Sequence, residues 1–496
     1  MCVLERGRRF GRDDFVDSPE RAGELVWHPG ANPGGMFDVR LLRDVVVITA
    51  AGVGGGSLVY ANVQLRAPAE VFEHPRWPDA ITGESLEPWY RKTEDALEPR
   101  TTPPKPALRK VQAFAAAGRR AGRRPESLPI AVHFGGPRSN PFSGVPQEGC
   151  QNLARCDIGC PVHAKNTIDI TYIARAEAHG AEVFQLRDVK RIEPPQQSGG
   201  RWRAGFEGLG GAGSGAVEAP MLVLAAGAIG SPRLLFANQR RLPELSSALG
   251  TCFSGNGDAL GIAFDARADA VRNAQNDYGP VMTSALNYTA ERRLILADGG
   301  LPPGFHGILD VARGVNVIRG WRRWLVRLRD VLARAGLTDQ ALRPRELASV
   351  AESKRPQTPD RDALIFLMFG RDAADGRMRL TPLLRRFDIR WSKAGSAKLF
   401  ADLERTAREL ADAADATLFY ALDGGPLGKF MTVHPLGGCP MSDDPSRGVV
   451  DEAGRMYGYP GGVVLDGSIV PTALGVNPSK TIAALAERGI DRLLSE

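Results

Sequence analysis

Near its C-terminus the chain sets an imidazole and a carboxamide on two short, inflexible segments, and this stretch restricts the fold more than any other. Val433-His434-Pro435-Leu436-Gly437-Gly438-Cys439-Pro440 places His434 on a turn fixed by proline and glycine. After a turn-rich insert, the apolar run Gly462-Val463-Val464-Leu465 reads as a strand ending in Asp466-Gly467-Ser468. A second rigid turn, Pro471-Thr472-Ala473-Leu474-Gly475-Val476-Asn477-Pro478, presents Asn477 just before a helical pattern that opens at Ser479. Strand, turn and helix in that order indicate α/β architecture. An imidazole and an amide held this way suit a site that must keep a hydroxyl in one orientation.

The rest of the sequence narrows the class. A length of 496 residues exceeds a single core, so two domains are expected, and 43% apolar content is enough to fill them. The net charge of +6 comes from arginines dispersed along the chain, which reads as a solvated surface and not as a nucleic-acid stripe. Six cysteines are too sparse for a disulfide scaffold and fit a reducing, cytoplasmic compartment. No run of eighteen apolar residues is present, and Met1–Gly7 shows no basic leader followed by an apolar segment. Gly213-Ser214-Gly215 lacks the Gly-x-Ser-x-Gly frame of a serine hydrolase. His28, His74, His133, His163, His179 and His306 are scattered, with no metal-ligand pair at helical spacing, so no metal site is expected. Cys150, Cys156 and Cys160-Pro161 approximate a ferredoxin spacing, but Leu153 stands where the second ligand belongs; buried thiols in a tight loop are the reading.

Taken in order, residues 2–5 read as a short buried strand ending in Glu5. In a dinucleotide-binding fold this is the second strand, whose terminal carboxylate meets the adenosine ribose. The Gly-rich phosphate turn of such a fold lies roughly twenty residues earlier, so either the start lies upstream, which is the expectation, or the protein has lost its main pyrophosphate cradle. Residues 44–50 form a strand-like run entering Gly52-Val53-Gly54-Gly55-Gly56-Ser57, where consecutive glycines let backbone approach a flat ligand. A helical pattern follows from Trp77 to Tyr90, and proline-rich residues 100–148 read mainly as loops. Residues 181–192 and 202–207 read as strands. Met221-Leu222-Val223-Leu224 then leads through Ala225-Ala226-Gly227 to a helix expected near Ser231-Pro232, a corner whose free N–H groups favour an anion. Arg379-Leu380 and Ile389-Arg390-Trp391 are expected strands. Residues 319–334 form a basic amphipathic helix with Trp321 and Trp324 on its apolar face, either packed on its own domain or touching a membrane.

With these motifs in this order, the chain resembles the glucose-methanol-choline (GMC) flavin oxidoreductases, most closely the cholesterol-oxidase branch, over nearly its whole length. The residues 157–160 and 164–167 are also similar to that branch. The resemblance implies an α/β fold, with a Rossmann-like FAD-binding domain interleaved with an α+β substrate-binding domain. The FAD-binding pieces are expected at 1–65, 150–255 and 430–496, and the substrate-binding pieces at 66–149 and 256–429. It implies His434 and Asn477 as the catalytic pair and FAD as cofactor. Glu5 would meet the ribose, while Gly55, Gly56, Asn62 and Val63 would run along the flavin. Val189 would lend backbone to the adenine, and Ala226 and Gly227 would pack under the ribose and pyrophosphate. Asp466 and Gly467 would lie by the ribityl-pyrophosphate portion, with Asn477 and Pro478 near the ring. The implied substrate is a secondary alcohol such as a 3-hydroxysteroid or sterol, with oxygen or a carrier as electron acceptor. The alternatives are a dehydrogenase of the same fold acting on a non-sterol alcohol and a flavin-free relic that binds sterol or lipid. No carboxylate base for steroid isomerisation can be placed, so that activity stays open.

Overall fold

A computed structural model of the chain describes every residue except 198, 303–361, 383, 421–429 and 496. The expected basic helix at 319–334 lies outside the described residues. Strand β1 (Cys2–Leu4) runs parallel to β4 (Glu182–Phe184), with Val3 opposite Val183. Between them in sequence, β2 (Phe37–Leu41) and β3 (Val45–Ala50) form an antiparallel pair with Val39 opposite Ile48. The β-branched run Val45-Val46-Val47-Ile48 suits a pleated surface better than a helix. Beyond β4, strands β5 (Arg187–Glu193), β6 (Trp202–Gly208) and β7 (Gly215–Ala219) make an antiparallel meander. Strand β8 (Leu222–Leu224) pairs in parallel with β17 (Gly462–Val464). Residues far apart in sequence therefore meet in these pairs.

The largest sheet among the described residues is antiparallel. Strands β9 (Ala259–Phe264), β10 (Ser284–Tyr288), β11 (Leu294–Asp298), β12 (Leu364–Gly370) and β15 (Thr417–Tyr420) lie in the order β15-β9-β12-β11-β10, and residues 126–127 add a short edge. Strand β12 is apolar on both faces because both are covered. Ile365 joins a small cluster with Ile262 and Phe264, while Phe366 and Met368 enter the main core. Two strands, β13 (Arg377–Leu380) and β14 (Phe387–Arg390), form a separate hairpin where the sequence placed them. Strand β16 (Phe430–Thr432) pairs in parallel with β3, with Phe430 opposite Val45, and so delivers the chain to His434.

Helices fill the gaps. α1 (Glu87–Leu97) packs on α5 (Ser479–Leu494), where the buried Tyr90 and Thr481 hydroxyls meet at 2.9 Å. α4 (Ala397–Ala413) buries Leu399, Leu403, Ala407 and Leu410 against the antiparallel sheet, the i, i+4 spacing of one helical face.

Two elements differ from the sequence reading. Within the stretch read as loops, α2 (Arg109–Arg120) is a three-turn helix, because Ala113, Phe114 and Ala117 recur at helical spacing once the prolines end at Pro106. The helix expected near Ser231-Pro232 begins earlier, as α3 (Gly227–Asn238), with Pro232 inside it. The Ser231 hydroxyl accepts the Ala226 N–H at 3.1 Å, so the first turn is closed by a side chain that a proline-based boundary overlooks.

Candidate active site

Five consecutive residues, Ser254-Gly255-Asn256-Gly257-Asp258, hold both rigid C-terminal turns. Asn256 and Gly257 take left-handed backbone, with φ of +56° and +62°, which asparagine tolerates and glycine adopts freely. A β-carbon on Gly257 would stand 2.5 Å from the Gly370 carbonyl oxygen. Asn256 faces one turn: its Oδ1 accepts the N–H groups of Leu474 and Gly475 (3.0 and 2.9 Å), and its Nδ2 donates to the Val476 carbonyl (2.8 Å). The peptide entering Asn477 is thus pinned at three points.

Asp258 faces the other turn. Its Oδ2 accepts the N–H groups of Val433 and His434 (2.8 and 3.0 Å), and its Oδ1 lies 2.8 Å from His434 Nδ1. Ser254 exchanges backbone hydrogen bonds with Leu436 in both directions, at 3.1 and 3.0 Å. The Phe369 ring packs edge-on against the imidazole with centroids 5.1 Å apart. Nδ1 is therefore engaged, and among the described residues no hydrogen bond reaches Nε2. Asn477 Oδ1 is buried and has no hydrogen-bond partner among the described residues.

The residues expected at the cofactor lie on several segments. Gly55 and Gly56 are open: a β-carbon on either would meet nothing within 4 Å, whereas one on Gly52 would strike Leu58 at 2.6 Å. Lys165 fastens this loop from below, its Nζ donating to the carbonyls of Leu58 (3.0 Å) and Cys156 (2.6 Å). Asn62 is fully buried, with neither amide atom hydrogen-bonded. Leaving a buried amide unpaired costs on the order of 1–3 kcal/mol, so the position calls for a partner from outside the chain. Val63 buries its side chain, and its carbonyl accepts the Ser479 hydroxyl at 3.4 Å; Pro478 caps the start of α5.

Glu5 follows β1, and its Oε1 accepts the N–H groups of Gly7 (2.7 Å) and Gly52 (3.0 Å). Burial pushes its carboxyl above the ordinary range, and those two amides pull it back. One oxygen thus ties the strand to the glycine loop. Val189 sits at a bulge in β5. Gly227 opens α3 with nothing within 4 Å of a β-carbon position.

Two of the donors expected at this corner are taken within the chain. Ala226 N–H goes to Ser231 Oγ and Gly227 N–H to Asp466 Oδ2 at 2.9 Å, because side chains take the orphan amides of the helix start. Asp466 also receives the Ser231 hydroxyl (2.5 Å) and the Ser468 N–H (2.8 Å), so its carboxylate joins the exits of β8 and β17. The Gly467 carbonyl accepts Gly437 N–H at 3.0 Å, which seats the His434 turn on the Asp466 turn. Open glycines, an orphaned Asn62 amide and an orphaned Asn477 oxygen fit a flat, hydrogen-bonding cofactor such as FAD.

The sequence reading missed Ser254–Asp258 and Lys165 as a positioning lysine. The left-handed pair Asn-Gly was the available signal for a sharp turn, but nothing local indicates what that turn faces.

Two further carboxylates shape the local charge. Burial, with Asp258 nearby, pushes buried Asp372 up to about 6. Burial likewise pushes Asp157 up to about 6, against the pull of Lys165, Lys110 and His434, and its Oδ1 has no partner. A folded value above the unfolded one of about 3.9 means that the native state holds the proton more tightly. The stability contributed by the protonated form is full below that unfolded value and is lost as pH rises through about 6. Asp157→Asn is therefore expected to melt at a higher temperature than the parent above pH 6, with the gap closing toward pH 4. Thermal melts across that range check the sign.

Family models described as GMC oxidoreductase match residues 33–238 and 374–486, together more than half of the chain. A cholesterol oxidase from Mycobacterium tuberculosis is 29% identical over 523 aligned residues, covering 98% of this chain and 85% of that protein. Among solved structures, pyridoxine 4-oxidase from Mesorbium loti superposes with a TM-score of 0.60 at 15% identity, covering 100% of this chain and 94% of its own. An FAD-dependent oxidoreductase from Chaetomium thermophilum gives a TM-score of 0.59 at 16% identity, with the same coverage. These structural likenesses speak for the fold. The α/β arrangement, the two family matches and the paired C-terminal turns agree, and the chain belongs to the GMC oxidoreductase family.

Proposed function

We propose that this GMC oxidoreductase oxidises a secondary alcohol, of the 3-hydroxysteroid or sterol class, to the ketone with FAD as cofactor. The observation that carries the reading is the geometry of His434, whose Nδ1 is held by Asp258 while no protein hydrogen bond reaches Nε2 among the described residues. An imidazole nitrogen left unengaged can take a hydroxyl proton, and the Asn477 amide, on the turn that the same 254–258 segment pins, can donate from its NH₂ to the hydroxyl oxygen and orient it. FAD, when bound, supplies the hydride acceptor for the carbinol hydrogen. His434 accepts the hydroxyl proton at Nε2, and Asn477 holds the hydroxyl and hydrogen-bonds near the ring. The Asn62 amide, the open faces of Gly55 and Gly56 and the Glu5 carboxylate would hold the cofactor. Similarity to a cholesterol oxidase along nearly the whole chain supports the steroid class.

The test is a substrate panel. 3β-hydroxysteroids and simple aliphatic alcohols are each mixed with the FAD-loaded protein, and ketone or aldehyde is measured by chromatography. Ketone from the steroids at the higher kcat/KM is the expected result. Turnover of aliphatic alcohols with none of the steroids would replace the sterol reading with the non-sterol alternative.

A further inference from the structure

The reading above leaves open which nitrogen of His434 carries the proton, and the contacts of Asp258 answer it. A carboxylate accepts hydrogen bonds and donates none. With Oδ2 occupied by two backbone N–H groups and Oδ1 2.8 Å from Nδ1, the imidazole must present Nδ1–H to Asp258. We infer that Asp258 is a positioning residue that fixes His434 in the Nδ1–H tautomer, so that Nε2 arrives unprotonated at the substrate hydroxyl. This rests on the proposed function for its catalytic consequence, although the tautomer itself does not.

The environment makes this assignment unusually sensitive to a single atom. Val433 N–H and His434 N–H are fixed donors in a turn bounded by β16 and Pro435. The Thr432 hydroxyl stands 2.9 Å from the same oxygen. In Asp258→Asn the amide oxygen must face the backbone donors, because an NH₂ group there would oppose two N–H groups. The amide NH₂ then points at Nδ1, which must accept, and the proton moves to Nε2. The variant keeps shape and nearly all of its hydrogen bonds, yet it turns the proton acceptor into a donor. The same inversion follows when the aspartate behind the histidine of a serine protease is replaced by asparagine, with a fall on the order of 10⁴ in kcat.

The experiment uses FAD-loaded, ¹⁵N-histidine-labelled protein at a pH where imidazole is neutral. The chain has seven histidines, and the His434 signals are assigned by their loss in His434→Gln. In the parent, Nδ1 should show a protonated shift and Nε2 an unprotonated one; in Asp258→Asn the two should exchange. Steady-state kinetics on the same samples should show kcat down by roughly 10³–10⁴ with FAD content unchanged and KM within a few-fold. A merely structural Asp258 would move folding and cofactor content and leave the tautomer alone. An Nε2–H tautomer in the parent overturns the inference, even where the variant fails to fold. An unchanged tautomer in a folded Asp258→Asn overturns it as well. The expected exchange in a protein that oxidises no alcohol would defeat the functional reading and still support the tautomer assignment.

Discussion

His434→Ala is expected to slow reduction of the bound flavin by about 10²–10⁴-fold, the usual contribution of a positioned general base, while FAD stays bound. In the proposed mechanism the imidazole acts through Nε2, since Nδ1 is committed to Asp258 at 2.8 Å. Removing the ring deletes the proton acceptor and the anchor of the hydroxyl together. Replacement by a neighbour is sterically closed. His434 lies between Thr432, whose strand is paired with β3, and a turn in which Gly437 and Gly438 have φ of +79° and +106°. A β-carbon at Gly437 would stand 2.0 Å from the Cys252 carbonyl oxygen, so the turn has no room to shift. The groups proposed for the cofactor belong to other segments, at Glu5, Gly55 and Asn62, and cofactor content should hold at the parent value. Stopped-flow bleaching of the flavin absorbance checks this. A matching substitution at His179, whose exposed ring bonds the Arg175 carbonyl, should have no comparable effect.

The second large effect is expected at a residue that carries no chemistry. Asn256→Ala deletes three hydrogen bonds to the peptide before Asn477 and leaves two amide N–H groups and one carbonyl without partners in a fully buried place. Each unsatisfied buried group costs on the order of 1–3 kcal/mol, so a loss of several kcal/mol and a clear drop in Tm should follow. Asn477→Leu is expected to slow flavin reduction by removing the amide that orients the hydroxyl, and Asn256→Ala should lose function in the same way, because it releases the turn that aims the Asn477 amide. The two defects should also fail to add in the double variant, as expected of residues in one network. Full additivity in the rate of flavin bleaching would show that Asn256 and Asn477 act separately.

These two residues mark where sequence reading succeeds and where it stops. The turns at 433–440 and 471–478 were legible because proline and glycine announce rigid backbone from within a few residues. The strands at 45–50 and 462–464 were legible from β-branched runs. The clamp at 254–258 was not, because its partners lie 176 and 220 residues away and no local pattern encodes such a meeting. Glu5 shows an intermediate case. Its place at a strand end was evident, but its role in fastening Gly52 depends on a loop 47 residues on. The corner at 225–233 was legible only in part: Ser231 and Asp466 take two of the amides, those of Ala226 and Gly227, that an isolated helix start would leave to a ligand.

The central claim is that this GMC oxidoreductase moves the carbinol hydrogen of an alcohol to FAD while His434 takes the hydroxyl proton. Its most direct test is anaerobic stopped-flow mixing of the FAD-loaded protein with a 3β-hydroxysteroid, carrying either hydrogen or deuterium on the carbinol carbon. The account predicts that the flavin absorbance bleaches in a single turnover, more slowly with the deuterated substrate, and that ketone appears in equal amount. An FAD-loaded protein whose flavin stays oxidised with every alcohol offered would contradict it.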